Sequence, residues 1–316
     1  MNQLVTIGET MVSFVPHINE SLRYGASLKM YIAGAESNTA IGVQRLGHCA
    51  SFITRVGDDS FGQYILRMIR AEGVDTSYVK IDPEYPTGIM FKEPLPSQET
   101  SVHYYRMGSA ASHLSIQDIS EEAISQAKIL HFTGITPILS DSCKQAVFQS
   151  MEIAAASQCA ISFDPNIRIK LWKQNDYSAL MREIIKKSSY LLLGLEEASV
   201  LYGTDDIQKL CSTIFATGKL QYLAIKNGSN GAWVCDNDKI LHIPPVPCNC
   251  IDPVGAGDAF NAGFLSGVLK GESLSVCGSI AAVTGARATE TSGDIEGLVT
   301  ERDIQNTQNN ILPVFR

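Results

Sequence analysis

Five short apolar runs, each ending in glycine or polar residues and separated by helical stretches, constrain this chain most. Leu4-Val5-Thr6-Ile7-Gly8, Ile129–Phe132, Ile161–Asp164, Tyr190–Leu193 and Tyr222–Ile225 read as buried strands. Helical candidates lie around Asn38–Leu46, Phe61–Ala71, Asp141–Ala156, Tyr177–Lys187 and Ile207–Phe215. Strands alternating with helices form βαβ units, whose crossovers cover both faces of a mostly parallel sheet. The expected fold is a three-layer α/β/α sandwich, with ligands beyond the carboxyl ends of its strands. A chain of 316 residues suits one such domain, 1–316.

Two segments, about 12–30 and 87–106, break the rhythm. They alternate apolar and polar positions with few helix signals, and read as strands of a small sheet attached as a lid or interface. Plain surface hairpins are the simpler alternative. Pro244-Pro245-Val246-Pro247 reads as a stiff connector. Hydrophobic content of 45% and a net charge of −8 fit a soluble globular protein, and argue against a general nucleic-acid or anionic-membrane binder. No apolar run reaches transmembrane length, and the amino terminus lacks the pattern of a secretory signal. The eight cysteines show no disulfide-framework spacing, and Cys248 and Cys250 have no second pair to complete a zinc site. A cytoplasmic location with reduced cysteines is expected.

The chemistry concentrates in Asp252-Pro253-Val254-Gly255-Ala256-Gly257-Asp258. Small residues open a helix marked by Phe260, Phe264 and Val268 at every fourth position. Gly255 and Gly257 leave backbone N–H groups uncovered at the positive helix end, where phosphate can approach. An acid there repels phosphate, so Asp258 makes more sense as a base beside it. Taken alone, the turn also suits an ordinary loop with a first-turn acid.

Other segments carry weaker signals. Gly34-Ala35-Glu36-Ser37-Asn38 combines small residues with an amide able to meet hydroxyls, although Asn38 also reads as a helix cap. Tyr104-Tyr105-Arg106 ends a lid strand, where Arg106 is placed to clamp a carboxylate. Asp164-Pro165-Asn166-Ile167-Arg168 leaves a buried strand and sends Asn166 and Arg168 to its carboxyl end. Lys226-Asn227-Gly228-Ser229-Asn230-Gly231 follows another strand, and suits either nucleotide contact or a hairpin. Glu196-Glu197 fits magnesium held through water or, equally, first-turn helix acids.

Together these motifs resemble the ribokinase-like, PfkB family of carbohydrate kinases over nearly the whole chain. Ala33–Gly47 resembles its amino-terminal glycine-rich motif, and Asp252–Asp258 its Asp-Thr-x-Gly-Ala-Gly-Asp motif. Within the family the chain looks most like 2-keto-3-deoxygluconate kinases. The resemblance implies a ribokinase-like sandwich with a small β lid, ATP and magnesium as cofactors with a monovalent cation such as potassium optional, and a homo-oligomer. It implies sugar-acid contacts from Gly34, Ala35, Glu36, Ser37, Asn38, Tyr104, Arg106, Arg168 and Asp294. ATP would meet Asn166, Lys226, Asn227, Gly228, Ser229, Asn230, Gly231, Gly255, Ala256 and Gly257, and Asp258 would be the base. Three departures stand out: Ala33-Gly34 for Gly-Gly, Pro253 for Thr, and Gly194 for the Asn of Asn-x-x-Glu, whose Glu is Glu197. A neutral-sugar kinase of the fructokinase or ribokinase type is the nearest alternative. A catalytically silent sensor is the more distant one.

Overall fold

The computed structural model describes residues 2–309 apart from 18–19, 21, 23–24, 94–100, 173–174 and 217. The strands are β1 (Leu4–Ile7), β2 (Met11–Pro16), β3 (Leu28–Ala33), β4 (Ala50–Gly57), β5 (Val79–Asp82), β6 (Ile89–Glu93) and β7 (Ser101–Tyr105). They continue as β8 (Ile129–Thr133), β9 (Ala160–Asp164), β10 (Tyr190–Gly194), β11 (Tyr222–Lys226), β12 (Ala232–Cys235) and β13 (Ile240–Ile243). Nine form one sheet in the order β13-β12-β11-β10-β9-β8-β1-β4-β5. Its strands pair in parallel except at β11–β12 and β12–β13. From β1 the chain first builds outward through β4 and β5, then returns to place β8 on the other side. The carboxyl ends of β1 and β8 therefore border the crevice where such sheets bind ligands.

Side-chain alternation along these strands makes the three layers. Val5, Ile7, Leu191, Leu193, Leu223 and Ile225 face one hydrophobic core, with the helices Asp141–Ala156, Ser178–Ile185 and Ile207–Phe215. Leu4, Tyr190, Leu192 and Ala224 face the other, with Ala35–Arg45, Ser60–Ala71, Ala256–Lys270 and Leu274–Ala288. Phe132 and Phe163 are fully buried with ring centroids 5.5 Å apart, and each such side chain contributes about 1.5–3 kcal/mol of burial. In the helix Ala256–Lys270, Phe260 and Phe264 are buried as the four-residue spacing suggests.

The irregular segments form a second sheet in the order β3-β2-β6-β7. Its first two strands begin at Met11 and extend to Ala33, slightly beyond the expected 12–30, and the other two, β6 and β7, fall within the expected 87–106. Within the two lid segments, 18–19, 21, 23–24 and 94–100 lie outside the described residues, as does the carboxyl end, 310–316, of the expected domain. One face is apolar: Phe14 stacks on Phe91 at 5.2 Å and meets Phe61 of the body edge-on. The other face sends Met90 and Tyr104 to the crevice.

Candidate active site

A cleft of about 580 Å³ lies between the small sheet and the carboxyl ends of the large one. Gly34, Ala35 and Glu36 line it from the start of the helix Ala35–Arg45; Tyr104 and Arg106 line it from the lid. Asn166, Arg168, Glu197 and Lys226 line the strand exits, and Gly255, Gly257, Asp258 and Asp294 the remaining wall. Ser37, Asn38, Ala256 and the segment Asn227, Gly228, Ser229, Asn230 and Gly231 are not in that lining. The last five form the hairpin turn joining β11 to β12, next to Lys226 but away from the cleft wall.

The turn before the long helix has the geometry its composition suggests. Gly255 is the N-cap at φ 86°, and a Cβ there would meet the Asp294 carbonyl at 3.1 Å, so both backbone and space require glycine. The Ala256 N–H donates to the Pro253 carbonyl at 3.3 Å. Among the described residues, the N–H groups of Gly255, Gly257 and Asp258 have no protein acceptor, which leaves them for an anion at the helix end.

Asp258 follows at once, buried, with its Oδ2 accepting from Asn38 Nδ2 at 2.9 Å. Burial pushes its carboxyl up to about 7; the Asn38 hydrogen bond and the Arg168 charge pull downward, and the Asp164 and Asp294 charges push further up. The same amide of Asn38 donates to Asp294 Oδ2 at 3.2 Å, while Asn38 Oδ1 is buried without a partner. Asn38 therefore lies inside the helix, capped instead by Gly34, and bridges two carboxylates. At Gly34 a Cβ would fall 2.5 Å from the Glu9 carbonyl, which explains the small residue there.

Several side chains have different work from what their motifs suggest. The Ser37 hydroxyl donates to the Gly34 carbonyl at 3.0 Å and lies 3.2 Å from the Thr10 hydroxyl, from which it can accept. Glu36 accepts from the Thr133 N–H, Thr133 Oγ1 and Thr136 Oγ1, and so joins its helix to the end of β8. Burial holds its carboxyl above the usual range. Arg106 is buried and donates through Nε to Glu9 Oε2 at 2.6 Å, with Nη2 on the same oxygen; Ser109 donates to Oε1. Glu9 has no signal in the sequence, because its partner lies 97 residues away. By contrast Arg168 is exposed at the cleft, and its side chain has no hydrogen bond or ion pair among the described residues.

At the strand exits, Lys226 donates to Asp164 Oδ2 at 2.7 Å and to Asn261 Oδ1 at 3.2 Å. Asn166 adopts φ 41°, a left-handed conformation that Asn tolerates better than most residues, and its buried Oδ1 has no partner. Glu197 accepts from the Ile167 and Gly194 N–H groups, both at 2.6 Å, so it does reach back to cap its helix. Burial and the Asp164 charge raise its carboxyl. Its remaining lone pairs and its place in the cleft fit a water-bridged magnesium ion, which needs few direct protein ligands. Among the described residues no group of three or more His, Cys, Asp or Glu is placed to hold a metal by itself. None of their helices is long and apolar enough to cross a membrane.

Known proteins are similar to this chain over most of its length. A family model described as pfkB family carbohydrate kinase matches residues 1–301. A 2-dehydro-3-deoxygluconokinase from Thermoproteus tenax is 35% identical over 96% of this chain and 94% of its own. One from Bacillus subtilis (strain 168) is 31% identical over 95% and 93%. Among solved structures, a sugar kinase from Pyrococcus horikoshii in complex with ATP has a TM-score of 0.84 and 25% identity, covering 96% of this chain and 97% of the other.

Proposed function

The chain belongs to the pfkB family of carbohydrate kinases, and from that premise we propose that it phosphorylates 2-keto-3-deoxygluconate with ATP. The product would be 2-keto-3-deoxy-6-phosphogluconate. One observation carries the proposal: a buried carboxylate, Asp258, stands beside uncovered N–H groups in a cleft that also receives a free arginine.

In this reading Asp258 accepts the proton of the primary hydroxyl as its oxygen attacks the γ-phosphorus in line. A carboxyl raised by burial toward neutral pH is well matched to that task, since its basicity is increased while it can still ionise. The N–H groups of Gly255, Gly257 and Asp258 face the charge that develops on the phosphoryl oxygens. Lys226 is held beside Gly257 by Asp164 and Asn261, and Asn166 offers its unpartnered Oδ1 at the same exit. Magnesium, bound with ATP and held through water by Glu197, would neutralise phosphate charge. Arg168 takes the sugar carboxylate and so aligns the distant hydroxyl. Arg106, already engaged by Glu9, gives only its remaining N–H groups, and Tyr104 packs beside it at 5.7 Å. The lid excludes water from the reaction.

The Arg106–Glu9 pair also favours a second reading, because an arginine already neutralised suits a neutral sugar. Magnesium-ATP turnover with 2-keto-3-deoxygluconate, fructose and ribose separates the two. A preference for the keto acid supports the proposal; a preference for fructose or ribose leaves a sugar kinase but removes the sugar-acid assignment. Sugar binding with no turnover on any of them would favour the sensor.

A further inference from the structure

Lys92, on lid strand β6, is 1% exposed, and its ammonium lies between two carboxylates of the body. It is bonded to Asp294 Oδ1 and lies 3.5 Å from Asp252 Oδ2. A lysine is rarely so buried unless it is paired, so what it pairs with carries the information. Asp294 is the residue that shares the Asn38 amide with Asp258. A continuous set of contacts therefore runs from the lid ammonium through Asp294 and Asn38 to the proposed base.

We propose that Lys92 is a positioning residue for phosphoryl transfer: it fixes Asp294 and Asn38 around Asp258 and balances the negative charge collected there. The inference rests on Asp258 being the base. Its physical ground is a count of charge around one small volume. Asp258 faces Asp294 across the Asn38 amide, and Asp164 and Arg168 from the exit of β9. Lys226 stands behind Asp164, while Asp252, Glu296 and Lys92 stand around Asp294, with the Tyr31 hydroxyl also near Lys92 and Glu296. Of the cations, Arg168 is open to the cleft and Lys226 is taken by Asp164. Among the described residues, Lys92 is the cation that contacts both Asp252 and Asp294. Burial alone would push its ammonium down, but Asp294 and Asp252 hold it above its ordinary value, so it stays charged. Without it, the Asp294 charge that already opposes ionisation of Asp258 would lose its counter-ion, with the Asp252 charge beside it. Because Lys92 belongs to the lid and its partners to the body, the base is set by the placement of β6 as well as by its own turn.

The test is the acid limb of the kcat/KM profile in Lys92→Met and Asp252→Asn, with Asp258→Asn alongside. Lys92→Met keeps most of the unbranched side chain, one atom shorter, and removes its charge, and should move the limb upward by about one pH unit. Asp252→Asn removes a negative charge and should move it downward. Opposite shifts support the proposal, since a merely structural loss would not reverse sign with the charge removed. A limb unmoved in both variants, or moved the same way, overturns it. If Lys92→Met does not fold, Asp252→Asn still decides: a downward shift supports the proposal and an unmoved limb overturns it. Full turnover in Asp258→Asn would remove the base itself and the inference with it, whereas an inactive Asp258→Asn with unmoved limbs in the other two would remove Lys92 alone.

Discussion

The two walls of the cleft treat charge in opposite ways. On the lid side, Arg106 lines the cleft and Lys92 lies behind the lining, and each is buried and already matched: Arg106 by Glu9, Lys92 by Asp294 and Asp252. On the body wall Lys226 is matched by Asp164, but among the described residues Arg168 is exposed without a side-chain partner, Asn166 Oδ1 is unpartnered, and the N–H groups of Gly255, Gly257 and Asp258 are uncovered. The difference teaches where ligand charge is received. A buried ion pair broken on one side leaves its partner charged and dry, so the lid pairs hold shape; the open groups lose little when altered except what a ligand gains from them.

Breaking the body wall at its base should have the largest effect. Asp258→Asn is expected to lower kcat by about 10²–10⁴-fold while calorimetry shows ATP and sugar bound nearly as before. The same substitution should stabilise the ligand-free fold at pH 8. A carboxyl raised in the folded state contributes stability that is complete below the unfolded pKa near 3.8 and is lost as pH rises through about 7. Thermal unfolding of both forms at pH 5 and pH 8 checks this: the gap between them should widen with pH.

Next in size is the lid wall. Glu9→Ala strands the Arg106 guanidinium in a buried place, and should cost about 3–5 kcal/mol in denaturant unfolding. Arg168→Ala should leave stability within about 0.5 kcal/mol, yet raise KM for the sugar acid about tenfold or more, as expected for a lost charged hydrogen bond of about 1.5–3 kcal/mol. In stability alone Gly255→Ala falls between these two, since a side chain at φ 86° costs about 1–2 kcal/mol.

These walls were unequally legible in the sequence. The body wall is written in short contiguous motifs, because a helix start, a tight turn and a strand exit each need particular residues within a few positions. Gly255, Asp258, Asn166 and Arg168 could therefore be picked out one segment at a time. The lid wall depends on pairs separated by 97 residues for Glu9–Arg106 and 202 for Lys92–Asp294, and nothing local marks Glu9 or Lys92. Glu36, Ser37 and Asn38 show the middle case: the segment is legible as polar and close to the site, but only the fold shows that Glu36 ties down β8 and Asn38 joins two acids. The same limit applies to secondary structure. Five central strands read from their apolar runs, whereas the buried β4, Ala50–Gly57, mixes Ser, Thr and Arg into its run and is not among them, and the short edge strand β13, Ile-Leu-His-Ile, repeats the pattern of β8 yet is not read as a strand.

The most direct measurement is the ratio of kcat/KM for 2-keto-3-deoxygluconate to that for fructose, in the unaltered chain, Arg168→Ala and Arg106→Ala. The account predicts that the ratio favours the keto acid, collapses in Arg168→Ala, and is largely kept in Arg106→Ala while both rates fall. A ratio that survives loss of Arg168 and collapses with loss of Arg106 would contradict it, and would make the lid wall the one that reads the substrate's charge.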